Sequence, residues 1–317
     1  MGRITLDSSS GSVAGGGETF TAEMPAGLSV TEGQTRLHAD LDGLFDLLDR
    51  VDRNGPRPTG AAAASPAEVA KKKDPTELPS TADCAKSLRA IAAAGFTDVH
   101  LKPVPYMNQG VGEWAHKAYP RNPPVPGETR TISQAGCAPT ALAMLDCGLR
   151  DAHSRPEAVA DFAVHQGFSG SPHFSGTNTA GLARKWAHEC GLGLTAATSS
   201  NQSRNVDTLK AGLLANGIAL VSVGVDRKNG LGHFTSKGHV MVINGCATRG
   251  GEEWFAIANP GREDQSDVRR HPGLLATDND VLQLGGAHHG VGQVWISRKQ
   301  LEAEMKGCFV FRSGVES

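Results

Sequence analysis

The chain has 317 residues, 39% of them hydrophobic and 20% charged, which is enough for one large water-soluble domain or two smaller ones. Its net charge of −2 gives no general attraction to nucleic acid or to an anionic membrane surface, so neither is expected as a partner. Six dispersed cysteines without a CxxC pair argue against a zinc knuckle and a dense disulfide framework, and no apolar run is long enough to span a membrane.

The first part of the chain has the composition of an N-terminal extension. Residues 1–27 are rich in Gly, Ser and Thr without an apolar period, which predicts disorder. Leucines at three- and four-residue steps then predict an amphipathic helix over 37–53, which can dock on a partner or fold back on the rest of the chain. The start has no apolar signal segment, so we expect the protein in the cytoplasm where it is made, or exported by a signal-peptide-independent route as bacterial effectors are.

A second helix is predicted over about 81–94, with Gly95 as its stop. We therefore divide the chain into a largely disordered region over 1–95, with one or two short helices, and a single domain over 96–317. Within that domain the helical patterns come first and the strand patterns later, which is the segregated order of an α+β fold. Helices are predicted near 138–147, 156–165, 179–190 and 206–216, and strands at 219–225, 239–245, 254–258 and 294–297.

Cys137 has the sequence setting of a nucleophile. Gly136 precedes it, and Pro139 with good helix formers follows, so Cys137 is expected to open a helix that stops at Gly148. The unpaired N–H groups and positive dipole at a helix N-terminus stabilise a thiolate, which predicts a depressed thiol pKa. The alternative is a small buried cysteine without a chemical role.

His239 is the best candidate for a base among the 12 histidines. It opens the apolar run Val240–Ile243, a position that carries a polar ring to the edge of a sheet, where a cleft can lie. His233, on the preceding loop, is a competitor for the same role. The alternative is a core histidine bonded to backbone groups.

Asn259 closes the strand predicted at 254–258 and can accept the second N–H of an imidazole, the orienting role in a catalytic triad. Gly250 and Gly251 separate this strand from the one that begins at His239, which predicts a hairpin. Hairpin pairing brings the first residues of one strand beside the last residues of the other. His239 and Asn259 are therefore expected to be neighbours although 20 positions separate them.

Several short motifs, taken in order, resemble one known family: Pro105-Tyr106-Met107-Asn108-Gln109, Trp114, Tyr119, Gly136-Cys137-Ala138-Pro139-Thr140, Gly238–Gly245 and Asn259-Pro260. Over about residues 103–262 the chain resembles the bacteriocin-processing (double-glycine leader) peptidase-like family of papain-type fold. The resemblance implies an α+β, papain-like cysteine peptidase fold. In it, a helical part with the nucleophile at a helix N-terminus packs on an antiparallel sheet that carries His and Asn.

By this resemblance Cys137 is the nucleophile, His239 is the base, and Asn259 stands where the family has Asp or Asn. The family also uses a Gln upstream of the Cys as an oxyanion donor. Gln109 matches its place, and Gln134, which lies closer in sequence, is the fallback. One position departs from the pattern: the family commonly has Gly after the Cys, whereas this chain has Ala138, whose methyl group can narrow the cleft.

The resulting prediction is a thiol-dependent hydrolase, a cysteine peptidase that cleaves a peptide or isopeptide bond in a peptide or protein substrate without a metal or organic cofactor. The adjacent His288 and His289 point in different directions, so they are not expected to chelate one metal ion. Two other functions stay open. The same three residues can serve glutamine deamidation or acyl transfer, and the domain can be an inactive module that binds peptides.

Overall fold

The computed structural model describes residues 74–150, 152–171, 176–225, 232–235, 238–261, 280–284 and 290–314, together with the backbone of two strands at 3–7 and 19–23. The helix predicted over 37–53 and the histidines at 288 and 289 lie outside the described residues. Among those that are described, no helix is long and apolar enough to cross a membrane.

The described helices and strands follow one another in the order β1 (Arg3–Asp7), β2 (Thr19–Glu23), α1 (Thr81–Ala93), β3 (Phe96–Leu101), α2 (Ile132–Ala135), α3 (Cys137–Arg150), α4 (Pro156–His165), α5 (Thr179–Glu189), β4 (Gly193–Ala197), α6 (Gln202–Leu214), β5 (Ile218–Gly224), β6 (Gly238–Arg249), β7 (Glu252–Ala258), β8 (Val281–Gln283), β9 (Val294–Ser297), α7 (Arg298–Glu304) and β10 (Met305–Arg312). A single 3-10 turn at Glu113–His116 lies between β3 and α2.

The strands form one sheet in the order β2-β1-β3-β6-β5-β10-β4, with β7 pairing to β6 and β9, and β8 pairing to β9. All neighbours are antiparallel except β1 and β3. Helices and an antiparallel sheet in one unit confirm the predicted α+β class.

The hairpin of β6 and β7 is present as predicted. Arg249 pairs with Glu252, so the turn consists of Gly250 and Gly251, which have φ values of 59° and 83°. Positive φ at both central residues is the requirement of a tight two-residue hairpin turn, and glycine meets it without steric cost. Pairing continues as far as Val242 with Ala258, where β7 ends.

Helices cover both faces of the central strands. The helix α3 lies on one face and is buried from Ala138 to Leu149, in one cluster with the side chains of β5 and β6 that alternate toward it. The helices α6 and α7 lie on the other face, with the intervening side chains of the same strands. This alternation is the period-2 pattern of a strand buried on both sides.

The first described helix, α1, confirms the helix predicted over 81–94 and shows how it packs. The side chain of Ser80 accepts from the backbone N–H of Asp83, and Gly95 follows the helix with a φ of 81°. Leu88 and Ile91 are buried in one cluster with residues of β3, β7 and β9. The packed unit therefore extends upstream of the boundary that the sequence places after residue 95.

Two further expectations from the sequence differ from the structure. The composition of residues 1–27 predicts disorder, yet 3–7 and 19–23 pair as antiparallel strands, and β1 joins β3 at the sheet edge. Gly148 is not a helix stop but lies inside α3. A Cβ at Gly148 would come within 2.7 Å of Val104 and 2.8 Å of Ile218, so the glycine permits close packing of the helix on its neighbours.

Candidate active site

Cys137 is the first residue of α3, as the sequence predicts. The one-turn helix α2 ends two residues earlier, and Gly136 joins the two helices. A Cβ at Gly136 would lie 2.4 Å from the side chain and 2.5 Å from the carbonyl oxygen of Ile132, so only glycine fits this tight approach. The glycine thus fixes the direction from which the chain enters α3 and presents Cys137.

The sulfur of Cys137 lies against the start of β6. Burial raises the pKa of this thiol, while backbone N–H groups of Val240, Ala138 and Cys137 itself interact with the sulfur and lower it by less. The depressed thiol pKa predicted from the helix N-terminus is therefore wrong, because loss of solvation outweighs the nearby N–H groups. The contact with Val240 brings Cys137 to the residue next to His239.

His239 and Asn259 lie together at the open end of the hairpin. The distance from His239 Nε2 to Asn259 Oδ1 is 2.7 Å, and the backbone N–H of Gly261 donates to the same oxygen at 2.9 Å. Because the backbone N–H can only donate, Asn259 must present its oxygen to both partners, so His239 Nε2 is the protonated nitrogen. The second ring nitrogen, Nδ1, is then the basic one.

Gly261 is a part of this site that the sequence does not single out. A Cβ at this position would lie 2.9 Å from His239 Cε1 and 3.0 Å from His239 Nε2. The backbone of Gly261 therefore packs directly against the imidazole ring. Its position two residues after Asn259 indicates this role only when the geometry of the hairpin is known.

Gln109 connects the two segments that carry the other site residues. Its backbone N–H donates to the carbonyl of Pro260 at 2.8 Å, and its side-chain Nε2 donates to the carbonyl of Ser133 at 2.9 Å. The first contact joins it to the end of β7, and the second to the turn before Cys137. Its Oε1 is buried and makes no hydrogen bond to the described residues.

Gln134, the fallback for the oxyanion donor, has a local structural role. Its Oε1 accepts from the backbone N–H of Thr131 at 3.0 Å, which caps the start of α2. The side chain is also exposed. Of the two glutamines, Gln109 is therefore the one whose contacts link the segments of the site.

A buried tyrosine lies close enough to interact electrostatically with Cys137. Tyr119 is fully buried, and its hydroxyl is 2.8 Å from Thr177 Oγ1. Burial raises the pKa of Tyr119 to about 12, against the opposing effects of Thr177 and of Arg130. Arg130 lies over the ring, 5.0 Å from its centroid, and donates to the carbonyl oxygens of Tyr119 and Ser169. The phenol therefore stays neutral near Cys137.

The competing histidine, His233, is buried and engaged elsewhere. Its ring nitrogen Nδ1 is 2.6 Å from the carboxylate of Glu304, and 1% of the residue is exposed. Among the described residues, no group of three or more His, Cys, Asp or Glu side chains could hold a metal ion. The described part of the site thus consists of one thiol, one imidazole, two amide side chains and the backbone around them.

Comparisons with known proteins identify the family of the chain. Residues 101–279, more than half of the chain, match the model of the Peptidase_C39 like family. No curated protein sequence matches the chain. Among solved structures, the chain is similar to digestive procathepsin L 3 of Tenebrio molitor larval midgut at 10% identity and a TM-score of 0.28, over 86% of this chain and 94% of that one. That TM-score is too low to carry a conclusion. The family match supports a cysteine-peptidase type of hydrolase, and by it the chain belongs to the Peptidase_C39 like family.

Proposed function

We propose that the chain is a cysteine peptidase that hydrolyses a peptide or isopeptide bond, with Cys137 as nucleophile, His239 as base and Asn259 as orienting residue. The observation that carries the proposal is the 2.7 Å contact of His239 Nε2 with Asn259 Oδ1. The backbone N–H of the next residue, Val240, contacts the sulfur of Cys137. A thiol, an imidazole and an amide in this relation are the parts that thiol-dependent acyl transfer requires.

In the first step His239 Nδ1 takes the proton of the Cys137 thiol as the sulfur attacks the carbonyl carbon of the substrate. Burial raises the pKa of this thiol, so its activation in this proposal depends on the positioned base His239. Assistance by a positioned base contributes roughly 10²- to 10⁴-fold to the rate. The bond to Asn259 holds the ring in the tautomer that can accept this proton.

The negative charge that develops on the carbonyl oxygen needs donors that are already in place. The backbone N–H of Cys137 and the second side-chain N–H of Gln109 supply them in this proposal; the first N–H of Gln109 is bonded to Ser133. One such donor is worth about 10²- to 10³-fold in turnover where it has been removed from an enzyme.

The tetrahedral intermediate then collapses. The bond to the amine breaks, His239 gives its proton to the leaving nitrogen, and the acyl group stays on sulfur as a thioester. Water attacks the thioester while His239 accepts a proton, the acid is released, and the thiol of Cys137 is restored.

Mass spectrometry tests the proposal on a broad peptide library with blocked amino termini. Purified full-length chain should generate new amino termini, and Cys137→Ala and His239→Ala should each abolish them while leaving the thermal unfolding temperature close to that of the wild type. Equal cleavage by wild type and Cys137→Ala would contradict the proposal, since the activity would then belong to another protein.

The same incubations separate the alternatives. Release of ammonia without new amino termini would identify glutamine deamidation, and transfer of an acyl group to an added amine would identify a transferase. Retention of particular peptides by the wild type, with no chemical change in them, would identify a binding module.

A further inference from the structure

A buried histidine–carboxylate pair lies outside the proposed triad. His233 is 1% exposed and Glu304 is 0% exposed. One oxygen of Glu304, Oε1, is 3.0 Å from the backbone N of His233, 2.6 Å from its Nδ1, and 2.8 Å from Gln300 Nε2. All three contacts fall on Oε1, so Glu304 binds His233 at two points of the same residue, while its other oxygen, Oε2, is buried and makes no hydrogen bond to the described residues.

The pair anchors residues 232–235, the described part of the connection between β5 and β6. At Gly232 an added Cβ would lie 3.2 Å from the carbonyl oxygen of Gly224, so the connection packs tightly on the end of β5. The next residue, His233, contacts Glu304, and Phe234 is buried on the face of the sheet that α6 and α7 cover. Three successive residues of the connection are thus fixed, five residues before the ring of the proposed base.

The register of the strands puts this anchor at the same level of the sheet as His239. Glu304 immediately precedes Met305, which pairs with Val223 on β5, and Val223 pairs with His239 on β6. Two strand spacings, roughly 10 Å, separate the backbone of Met305 from that of His239. Asp280 is a further charged group that interacts with His233, and Lys299 Nζ contacts it at 3.0 Å.

We propose that Glu304, acting through His233, is a positioning residue that holds residues 232–235, between β5 and β6, in place and thereby sets the imidazole of His239 against Cys137 and Asn259. The inference rests on the proposed role of His239 as base. Neither Glu304 nor His233 touches the reacting atoms, so the effect on chemistry arises from the position of the ring. A misplacement of about 1 Å at a catalytic group can cost about 10²-fold in rate.

The experiment compares Glu304→Ala and Glu304→Gln with Glu253→Gln in the full-length chain. Glu253 is a matched control, because its carboxylate also makes ion pairs, with Lys210 and Arg298, but lies at the turn end of the hairpin, away from His239. The first readout is the ¹³Cε1–¹H NMR signal of His239, assigned with His239→Ala. The second is the rate at which iodoacetamide labels Cys137 at pH 8.

We expect Glu304→Ala to shift or broaden the His239 signal and to slow Cys137 labelling about 10- to 100-fold. Glu304→Gln should lie nearer the wild type, because its amide oxygen can still accept from the backbone N–H of His233. Glu253→Gln should change neither readout. If Glu304→Ala does not fold, the ¹³Cε1–¹H signal of His239 in Glu304→Gln is the test. The proposal then requires this signal to differ from that of the wild type.

An unchanged His239 signal in folded Glu304→Ala would overturn the proposal, whatever its unfolding temperature, because the carboxylate would then only stabilise the fold. Failure of the proposed function gives a different result. In that case Cys137 would be labelled equally fast in wild type and His239→Ala, while the response of the His239 signal to the Glu304 variants would still decide the positioning role.

Discussion

Two histidines, six residues apart, face similar acceptors in different surroundings. His239 Nε2 is 2.7 Å from the amide oxygen of Asn259, and His233 Nδ1 is 2.6 Å from a carboxylate oxygen of Glu304. The ring of His239 is partly exposed at the open end of the hairpin. The backbone N–H of the next residue, Val240, contacts the sulfur of Cys137. The ring of His233 is buried on the other side of β5, beside the start of β10.

The comparison shows that the strength of a histidine's partner does not mark it as a base. A carboxylate is the stronger acceptor, yet it belongs to the buried pair, where no substrate can approach His233. The neutral amide belongs to the histidine that substrate can reach. Access and a neighbouring nucleophile separate the proposed catalytic histidine from the structural one, and each prediction below tests that separation.

The largest effect is expected from removing each ring in turn. His239→Ala should lower turnover of a cleaved peptide roughly 10²- to 10⁴-fold with little change in stability, because its ring is partly exposed. His233→Ala should instead cost about 3–5 kcal/mol of unfolding free energy, because it removes one partner of a fully buried side-chain pair.

Urea unfolding and steady-state kinetics on both variants check this division. His233→Ala is expected to lose some turnover as well, through the position of His239, but less than His239→Ala. A His239→Ala protein that keeps its turnover would contradict the assignment of the base.

The next effect concerns the partner of the accessible histidine. Asn259→Ala removes the acceptor that fixes the His239 tautomer and leaves the N–H of Gly261 without its bond, so turnover should fall about 10²-fold. Asn259→Asp keeps an acceptor oxygen and should recover most of the loss. Its carboxylate also favours the imidazolium form, so the acidic limb of the pH–rate profile should move to higher pH. Equal turnover in wild type and Asn259→Ala would show that the amide does not orient the ring.

Much of this contrast can be derived from local sequence. Helix signals around Gly136 and Pro139 place Cys137 at the start of α3, and the Gly250-Gly251 turn brings His239 to Asn259. Both inferences depend on residues close in sequence, where the geometry of helices and hairpins is general. The α+β class follows from the same local patterns.

The parts that the sequence does not predict depend on contacts between distant segments. Gln109 reaches Ser133 and Pro260 from a loop without hydrophobic periodicity. The raised pKa of Cys137 depends on burial by elements that only tertiary packing brings together. The partner of His233 lies 71 residues away, on a helix that the pattern analysis does not identify. For the same reason β10, which inserts between β5 and β4, is not predicted from local pattern.

A smaller effect is expected from crowding the accessible ring without altering its partner. Gly261→Ala puts a methyl group within 2.9 Å of the His239 ring, so the ring or the backbone must shift, and turnover should fall about tenfold. Gly238→Ala is the matched control, because a Cβ there meets nothing within 4 Å. Equal kinetics for the two variants would mean that the ring tolerates displacement, and that the contact with Gly261 does not hold it in place.

The smallest effect concerns a cysteine on the other face of the sheet, in the same buried cluster as Phe234. Burial raises the pKa of Cys308 to about 12, whereas a thiol in the unfolded chain ionises near about 8.5. Between these values the unfolded state loses the proton that the folded state keeps. The free energy of unfolding therefore falls with rising pH, by up to about 1.4 kcal/mol per pH unit for this thiol, and its contribution is fully present only below about pH 8.5.

Replacing Cys308 with Ala should therefore flatten the alkaline loss of stability, measured by urea unfolding between pH 8 and 11. Val310→Ala is the control on the same strand and in the same cluster. It should lower stability by a constant amount at every pH, because it removes no ionisable group. If both variants keep the wild-type slope, the alkaline loss arises at other groups, and the surroundings of Cys308 are less effective at excluding water than its complete burial implies. A flattened slope would establish that the folded chain keeps the Cys308 thiol protonated, and therefore unreactive, over this pH range.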